Sequence, residues 1–400
     1  MITSFTMTEN EKNSLLNKIE EIDLKEYGIY GRPILDVWNE NKKLLKDIEK
    51  SELIVGLENS DLDGHLLELV DNYTEKILQG IRLVGNLLSV DETKLYIPKY
   101  NHKIWDKVNC LAQDYEIQVI NDMIDVREHE LSVFCHLSVI SSVVDIYNNC
   151  YRPGTYLSVD GNSLDYVEPS QQLNELIKID RDEIKGIEVG YSAYSLDRMN
   201  EPISNFMITN GHIRTIKKDE CAVDNTMIQT LKYQKASCGK CVFCREGLIQ
   251  MQYMTRAITK GKGDVKALDL IKEIGSLMAD HTLCTVGQKA PLYMLSAIEN
   301  SHQEFIMHIK KGKCQADVCQ ALNIIYIDPH LCTGCGDCSE VCPEDCIEGR
   351  AKYIHMIDEF DCTRCGKCIE VCDEDAIIKT SDRLPKLPTR LTKVGRFKRK

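Results

Sequence analysis

Cys332-Thr-Gly-Cys335-Gly-Asp-Cys338-Ser-Glu-Val-Cys342-Pro343 and Cys362-Thr-Arg-Cys365-Gly-Lys-Cys368-Ile-Glu-Val-Cys372-Asp373 are two cysteine runs of one spacing, set thirty residues apart. The C-x2-C-x2-C-x3-C pattern lets three thiolates of a run hold a 4Fe-4S cubane on a tight loop, while the fourth is carried by the next turn to the other cluster. That rule assigns Cys332, Cys335, Cys338 and Cys372 to one cluster, and Cys342, Cys362, Cys365 and Cys368 to a second. Zinc in each C-x2-C pair would leave the third and fourth cysteines without a use.

This stretch resembles the bacterial two-cluster ferredoxins over its whole length. Asp373 stands where the first run has Pro343, and since proline restricts the turn without supplying a ligand, the assignment is unaffected.

The chain has 400 residues, room for several domains and an ample core. Its nineteen cysteines, most at metal-ligand spacing, point to thiols kept reduced in a cytosol rather than to a disulfide scaffold. The start, Met1 to Lys18, is polar, and the most apolar run, Leu131 to Tyr147, is broken by His136, serines and Asp145. The expectation is a cytoplasmic protein without a membrane span, its oxygen-labile clusters suiting anaerobic metabolism. A net charge of -13 argues against a general nucleic-acid binder.

A second constellation precedes the first. Ser237-Cys238-Gly-Lys-Cys241-Val-Phe-Cys244-Arg245 opens a predicted helix, and Cys284 follows forty residues on. Three thiolates at a helix start can surround one cubane, with first-turn N–H groups directed at its sulfur, and a distant cysteine closes the site. Cys238, Cys241 and Cys244 are therefore assigned to a third 4Fe-4S cluster, for which the family resemblance that follows implies Cys284 as the fourth ligand. Lys240 and Arg245 could add positive charge near it or lie solvated at the surface. Helical periodicity continues over 248–260, 265–278 and 290–309.

This constellation resembles the helical cluster domain of the NADH-oxidising flavin subunit of respiratory complex I and of multimeric hydrogenases and formate dehydrogenases. The resemblance implies a multidomain α+β chain. Its parts are a flavin-type α/β domain at 1–152, a small β-grasp domain at 153–218, a helical 4Fe-4S domain at 219–320, a two-cluster ferredoxin domain at 321–382 and a basic tail at 383–400. Within the first, predicted elements are helices over 9–22 and 66–88 and strands at 95–97 and 116–120; within the second, strands at 187–189 and 206–209 with a hairpin turn at Asn210-Gly211. The family's glycine-rich flavin loop corresponds here to Gly28-Ile-Tyr-Gly31-Arg-Pro-Ile-Leu, with two glycines only. Its acidic segment is replaced by Leu57-Glu-Asn-Ser-Asp-Leu-Asp63-Gly64, and its Asn-Val-Glu-Thr turn by Cys135-His-Leu-Ser138. Neither G-x-G-x-x-G nor a phosphate-binding G-x-x-x-x-G-K-[ST] occurs. The expectation is a flavin-type fold that has lost FMN and NADH.

Seven cysteines remain. Cys110, Cys135, Cys150 and Cys221 read as scattered buried thiols. Cys314, Cys319, Cys346 and His355, all near the ferredoxin module, form a candidate structural zinc set; the alternative places Cys346 in the module's core and His355 on its surface. Ser381 to Lys400 holds eight Lys or Arg and two prolines, an extension that either wraps an acidic partner or stays solvated. No hydride acceptor, nucleophile or acid-base pair stands out. The reading is an electron-relay subunit of a hydrogenase- or formate-dehydrogenase-type complex. Its expected partners are a thioredoxin-like 2Fe-2S subunit, a hydrogenase or formate dehydrogenase catalytic subunit, or soluble ferredoxin. The rivals are an FMN-dependent NAD(P)H dehydrogenase subunit and an assembly scaffold with structural clusters.

Overall fold

The structure is a computed structural model that describes residues 7–45, 50–127, 132–380 and 384–398. The chain forms two compact units: Met1–Lys217 with Thr230–Leu248 and Ile274–Ser296, and Lys218–Gln229 with Ile249–Glu273 and Ala297–Lys400.

The first unit begins with helix α1 (Glu9–Ile22), capped reciprocally by Thr8 and Glu11. A hairpin, β1 (Lys25–Tyr27) and β2 (Tyr30–Pro33), and helix α2 (Ile34–Leu45) follow. Next come β3 (Glu52–Gly56), α3 (Leu67–Asn72), α4 (Thr74–Leu88), β4 (Glu92–Tyr96), α5 (His102–Ala112), β5 (Gln118–Ile120), β6 (Val133–His136) and α6 (Leu137–Tyr147). The four strands form a parallel sheet in the order β5-β4-β3-β6. Its central strand β3 is apolar almost throughout and buried from Leu53 to Gly56, as a strand inside a parallel sheet is. The predicted helix over 66–88 is two helices, broken at Tyr73, where the Thr74 hydroxyl donates to the Val70 carbonyl. Of the apolar run, residues 133–147 contain no single apolar element: a mostly buried strand runs directly into a mostly buried helix, and residue 131 lies outside the described residues.

Packing of α4 on α6 depends on Gly80. A Cβ there would lie 2.6 Å from Ile140 Cγ2 and 2.8 Å from the Ile140 carbonyl oxygen, which cannot move without shifting the helix. Gly80→Ala is expected to lower the unfolding free energy by about 1–3 kcal/mol in a denaturant titration. Unchanged stability would mean that this interface has slack.

A second sheet, also in the first unit, comprises β7 (Thr155–Val159), β8 (Asp165–Val167), β9 (Ile184–Val189), β10 (Ser192–Tyr194) and β11 (His212–Lys217), with the short helix α7 (Leu173–Leu176) between β8 and β9. Its order is β10-β9-β11-β7-β8, and β11 runs parallel to β7. The strand expected at 206–209 is absent. The chain there is irregular, Asn210 accepts from the His212 N–H and donates to the Gly190 carbonyl, and pairing starts only at His212.

Helices α8 (Ala222–Ala236), α9 (Val242–Thr259), α10 (Lys266–His281), α11 (Thr285–Lys289), α12 (Leu292–Asn300) and α13 (His302–Ile306) follow. The stretch read as one helix over 290–309 is segmented, and a widened π turn at Met307–Lys311 ends it.

In the second unit the cysteine-rich region is built twice. It contains β12 (Ile324–Ile327), α14 (Asp337–Glu340), β13 (Ile347–Glu348), β14 (Met356–Ile357), α15 (Lys367–Glu370) and β15 (Ile377–Thr380). β12 pairs antiparallel with β15, and β13 with β14. Each short helix follows a glycine at positive φ, Gly336 at 111° and Gly366 at 84°, a conformation that residues with a Cβ avoid. The tail is not a free extension over the residues described. Ile354 N–H donates to the Thr392 carbonyl and Val394 N–H to the Lys352 carbonyl, while Phe397 packs on the cysteine-lined core and meets the His330 ring. It straps the linker between the two runs. Phe360, the repeat counterpart of His330, is 90% exposed.

Candidate metal centres

In the first unit, α9 and α11 place four cysteines around one cavity of about 580 Å3, whose lining includes Cys238, Cys241, Cys244 and Cys284. Ser237 shapes the loop: its hydroxyl accepts from the Gly239 N–H and lies 3.4 Å from Cys244 Sγ. Burial raises the Cys284 thiol, opposed by the Gly287 and Val286 N–H groups of α11 that point at it. Burial likewise raises Cys244. These groups suit a bound iron-sulfur cluster, which takes thiolates and accepts N–H donors at sulfur. Lys240 is paired with Asp125, and Arg245 donates to the Gly239 carbonyl and to Glu246, so neither is a bare cation beside the thiols.

In the second unit, one cavity is lined by Cys332, Cys335, Cys338 and Cys372 and another by Cys342, Cys362, Cys365 and Cys368. Each cavity thus receives three cysteines from one run and the fourth from the other.

The zinc set expected from sequence is not assembled. His355 lines the first of these two cavities, its ring seated on Gly349, where a Cβ would come within 2.1 Å of it. Cys346 lines the second cavity. Cys314 and Cys319 instead meet Cys221 and His308, all four buried with their ligand atoms within 4.8 Å of one another. Cys221 Sγ and Cys319 Sγ lie 3.3 and 3.4 Å from His308 Nε2 and 3.8 Å from each other. A tetrahedral zinc with ordinary bond lengths has S···S edges of about 3.8 Å and S···N edges of about 3.5 Å. His308 Nδ1–H donates to the Glu304 carbonyl at 2.7 Å, which leaves Nε2 free to bind. Burial opposes a charge on His308, while hydrogen bonds with Cys221 and Cys314 raise its pKa. In the sequence Cys221 reads as an inert thiol because His308 lies 87 residues on. The available signal is His308, six residues before Cys314 and far closer to it than His355.

The carboxyl ends of β3 and β6 flank the point where the strand order reverses, the usual ligand crevice of open parallel sheets. A cavity of about 350 Å3 lies there, lined by residues that include Tyr27, Glu58, Phe134, Arg127 and Cys284. His136 Nδ1 accepts from the Ser138 N–H, closing the first turn of α6, and Glu58 accepts from the hydroxyls of Tyr27, Tyr191 and Thr209. Burial lowers the His136 pKa to about 3 and so keeps it neutral. Burial also raises Asp61, in the same acidic segment, to about 7.

Residues 227–308 match the NADH-ubiquinone oxidoreductase-F iron-sulfur binding region, and residues 324–379 match the 4Fe-4S dicluster domain. The NADP-reducing hydrogenase subunit HndC of Solidesulfovibrio fructosivorans is 38% identical over 146 residues, 36% of this chain and 30% of that one. The mitochondrial NADH-ubiquinone oxidoreductase 51 kDa subunit of Neurospora crassa is 28% identical over 79 residues, 20% of this chain and 16% of the relative. The chain thus matches less than a third of the length of either relative. Among solved structures, an NAD+-reducing NiFe hydrogenase in the H2-reduced state superposes with a TM-score of 0.63 at 13% identity, over 75% of this chain and 63% of that chain, a likeness of fold. Among the described residues no helix is long and apolar enough to cross a membrane.

Proposed function

From a chain that carries an oxidoreductase-F iron-sulfur region followed by a 4Fe-4S dicluster domain, we propose an electron-relay subunit of a multisubunit oxidoreductase of the hydrogenase or formate dehydrogenase type. Three 4Fe-4S clusters are held by Cys238, Cys241, Cys244 and Cys284, by Cys332, Cys335, Cys338 and Cys372, and by Cys342, Cys362, Cys365 and Cys368. The observation that carries this reading is the grouping of twelve cysteines into three cavities, four to each. When bound, such clusters exchange single electrons. The chain's own part is to fix the thiolates, direct N–H groups at sulfur and keep the centres half-buried. A zinc held by Cys221, His308, Cys314 and Cys319 is structural, because four protein ligands leave no open position. Neighbouring subunits, among them a thioredoxin-like 2Fe-2S protein, a hydrogenase or formate dehydrogenase catalytic subunit, or soluble ferredoxin, supply and remove the electrons.

Anaerobically purified protein is expected to contain about twelve irons and to show reducible clusters in an electron paramagnetic resonance (EPR) redox titration. Clusters that accept no electron at any accessible potential would instead favour the scaffold role.

The second reading, an FMN-dependent NAD(P)H dehydrogenase subunit, is favoured by the cavity at the strand-order reversal, whose lining includes Cys284. The closed first turn of α6 and the engaged Glu58 weigh against it. Acid extraction is expected to release no stoichiometric flavin, and NADH is expected to leave cluster absorbance unchanged. One flavin per chain with NADH-driven bleaching would establish the second reading.

A further inference from the structure

The two halves of the dicluster region repeat one cysteine spacing, so their differences isolate single effects. Shifted by thirty residues, Cys346 falls on Ala376 and Ile347 on Ile377. Both positions follow the last cysteine of their run by four residues and both are buried, Cys346 at 6% and Ala376 at 1% exposure. At Ala376 the backbone N–H donates to Cys372 Sγ at 3.4 Å. At the equivalent place in the other half, Cys346 Sγ lies 3.4 Å from Cys342 Sγ and lines the same cavity as Cys342, Cys362, Cys365 and Cys368. One half therefore carries a thiol against its cluster ligands that the other half lacks.

A fifth sulfur in that cavity is not needed as a ligand, since four cysteines already fill the corners of a cubane. As a thiolate it would add a negative charge to a buried site crowded with them, which is electrostatically unfavourable. As a thiol it is a weak donor, and the Cys342 sulfur lies within its reach. Hydrogen bonds to ligand sulfur favour the more negative, reduced state of a cluster and raise its potential.

We propose that the Cys346 thiol hydrogen-bonds to the Cys342 thiolate and makes the Cys342/Cys362/Cys365/Cys368 cluster the more easily reduced of the pair. This rests on the cluster assignment above and deepens it: an electron delivered to the module resides in that half, which gives the relay a direction. Cys346 acts here as a positioning donor toward Cys342 and takes no part in ligation.

The test is an EPR-monitored redox titration of reconstituted full-length protein with iron analysis, comparing Cys346→Ala, Cys346→Ser and Ala376→Cys. Alanine at 346 restores the residue that the repeat already accommodates at 376, so folding and iron content are expected to persist. Its removal of the donor should shift the reduction equilibrium of one cluster roughly tenfold toward the oxidised form, about 59 mV for one electron. Serine keeps a donor and should restore most of the difference. Ala376→Cys should move the other cluster in the opposite direction. Full iron with potentials unchanged in Cys346→Ala would overturn the inference and leave the cluster assignment standing. Wild-type protein lacking two dicluster signals would overturn the assignment itself.

Discussion

Changing Cys338 to serine is expected to leave the anaerobically purified protein with about eight irons in place of about twelve and to abolish one dicluster signal in EPR. Cys338 sits in the first turn of α14, just after the left-handed Gly336, and is only 7% exposed. The other cysteines lining its cavity, Cys332, Cys335 and Cys372, are already assigned to the remaining three corners of the proposed cluster. The hydrophobic core of this region includes several cysteines beside Ile325, Ile327, Ile354 and Ile377, so a lost cluster removes part of the packing as well. Thermal melting of the region should therefore become broader. A variant that keeps all its iron and every signal would show that Cys338 is not a ligand.

Cys319→Ala is expected to reduce bound zinc from one per chain to near zero, as read by elemental analysis. Structural zinc contributes its binding free energy to folding, and a site loaded about a thousandfold above its dissociation constant adds roughly 4 kcal/mol. For a unit of this size that corresponds to a fall of about 10 °C in the melting temperature. The loss should be large because Cys221 and Cys319 lie 98 residues apart and a metal joining them closes a long loop. Cys150→Ala, at an exposed thiol, serves as the control and should change neither quantity. Zinc retained at full occupancy in Cys319→Ala would remove this residue from the proposed ligand set.

The dicluster region is legible in the sequence because its ligand rule is local: four cysteines within eleven residues, repeated once, leave little freedom in how they group. The site of Cys238, Cys241 and Cys244 shares that property, and Cys284 is reached through the spacing of the family it resembles. Of the tetrad Cys221, His308, Cys314 and Cys319, only the last two stand out, being close in sequence. The other members arrive through tertiary packing and through a π turn that periodicity does not reveal. Cys346 and His355 mislead for the converse reason. Proximity along the chain places them beside Cys314 and Cys319, whereas strand pairing of β13 with β14 and the room left by Gly349 place them at the cluster cavities. In the α/β part, continuous apolar runs conceal β3 and β6, because a strand buried on both faces has no alternation to read.

The C-terminal strap breaks the twofold repeat of the module. Phe397 meets the His330 ring in one half, while Phe360 in the other is almost fully exposed beside Asp358, Glu359 and Asp361. A symmetric module would offer equivalent approaches to both of its centres. Here the Cys362 side presents a bare aromatic ring rimmed by carboxylates, and the Cys332 side a histidine held against the strap.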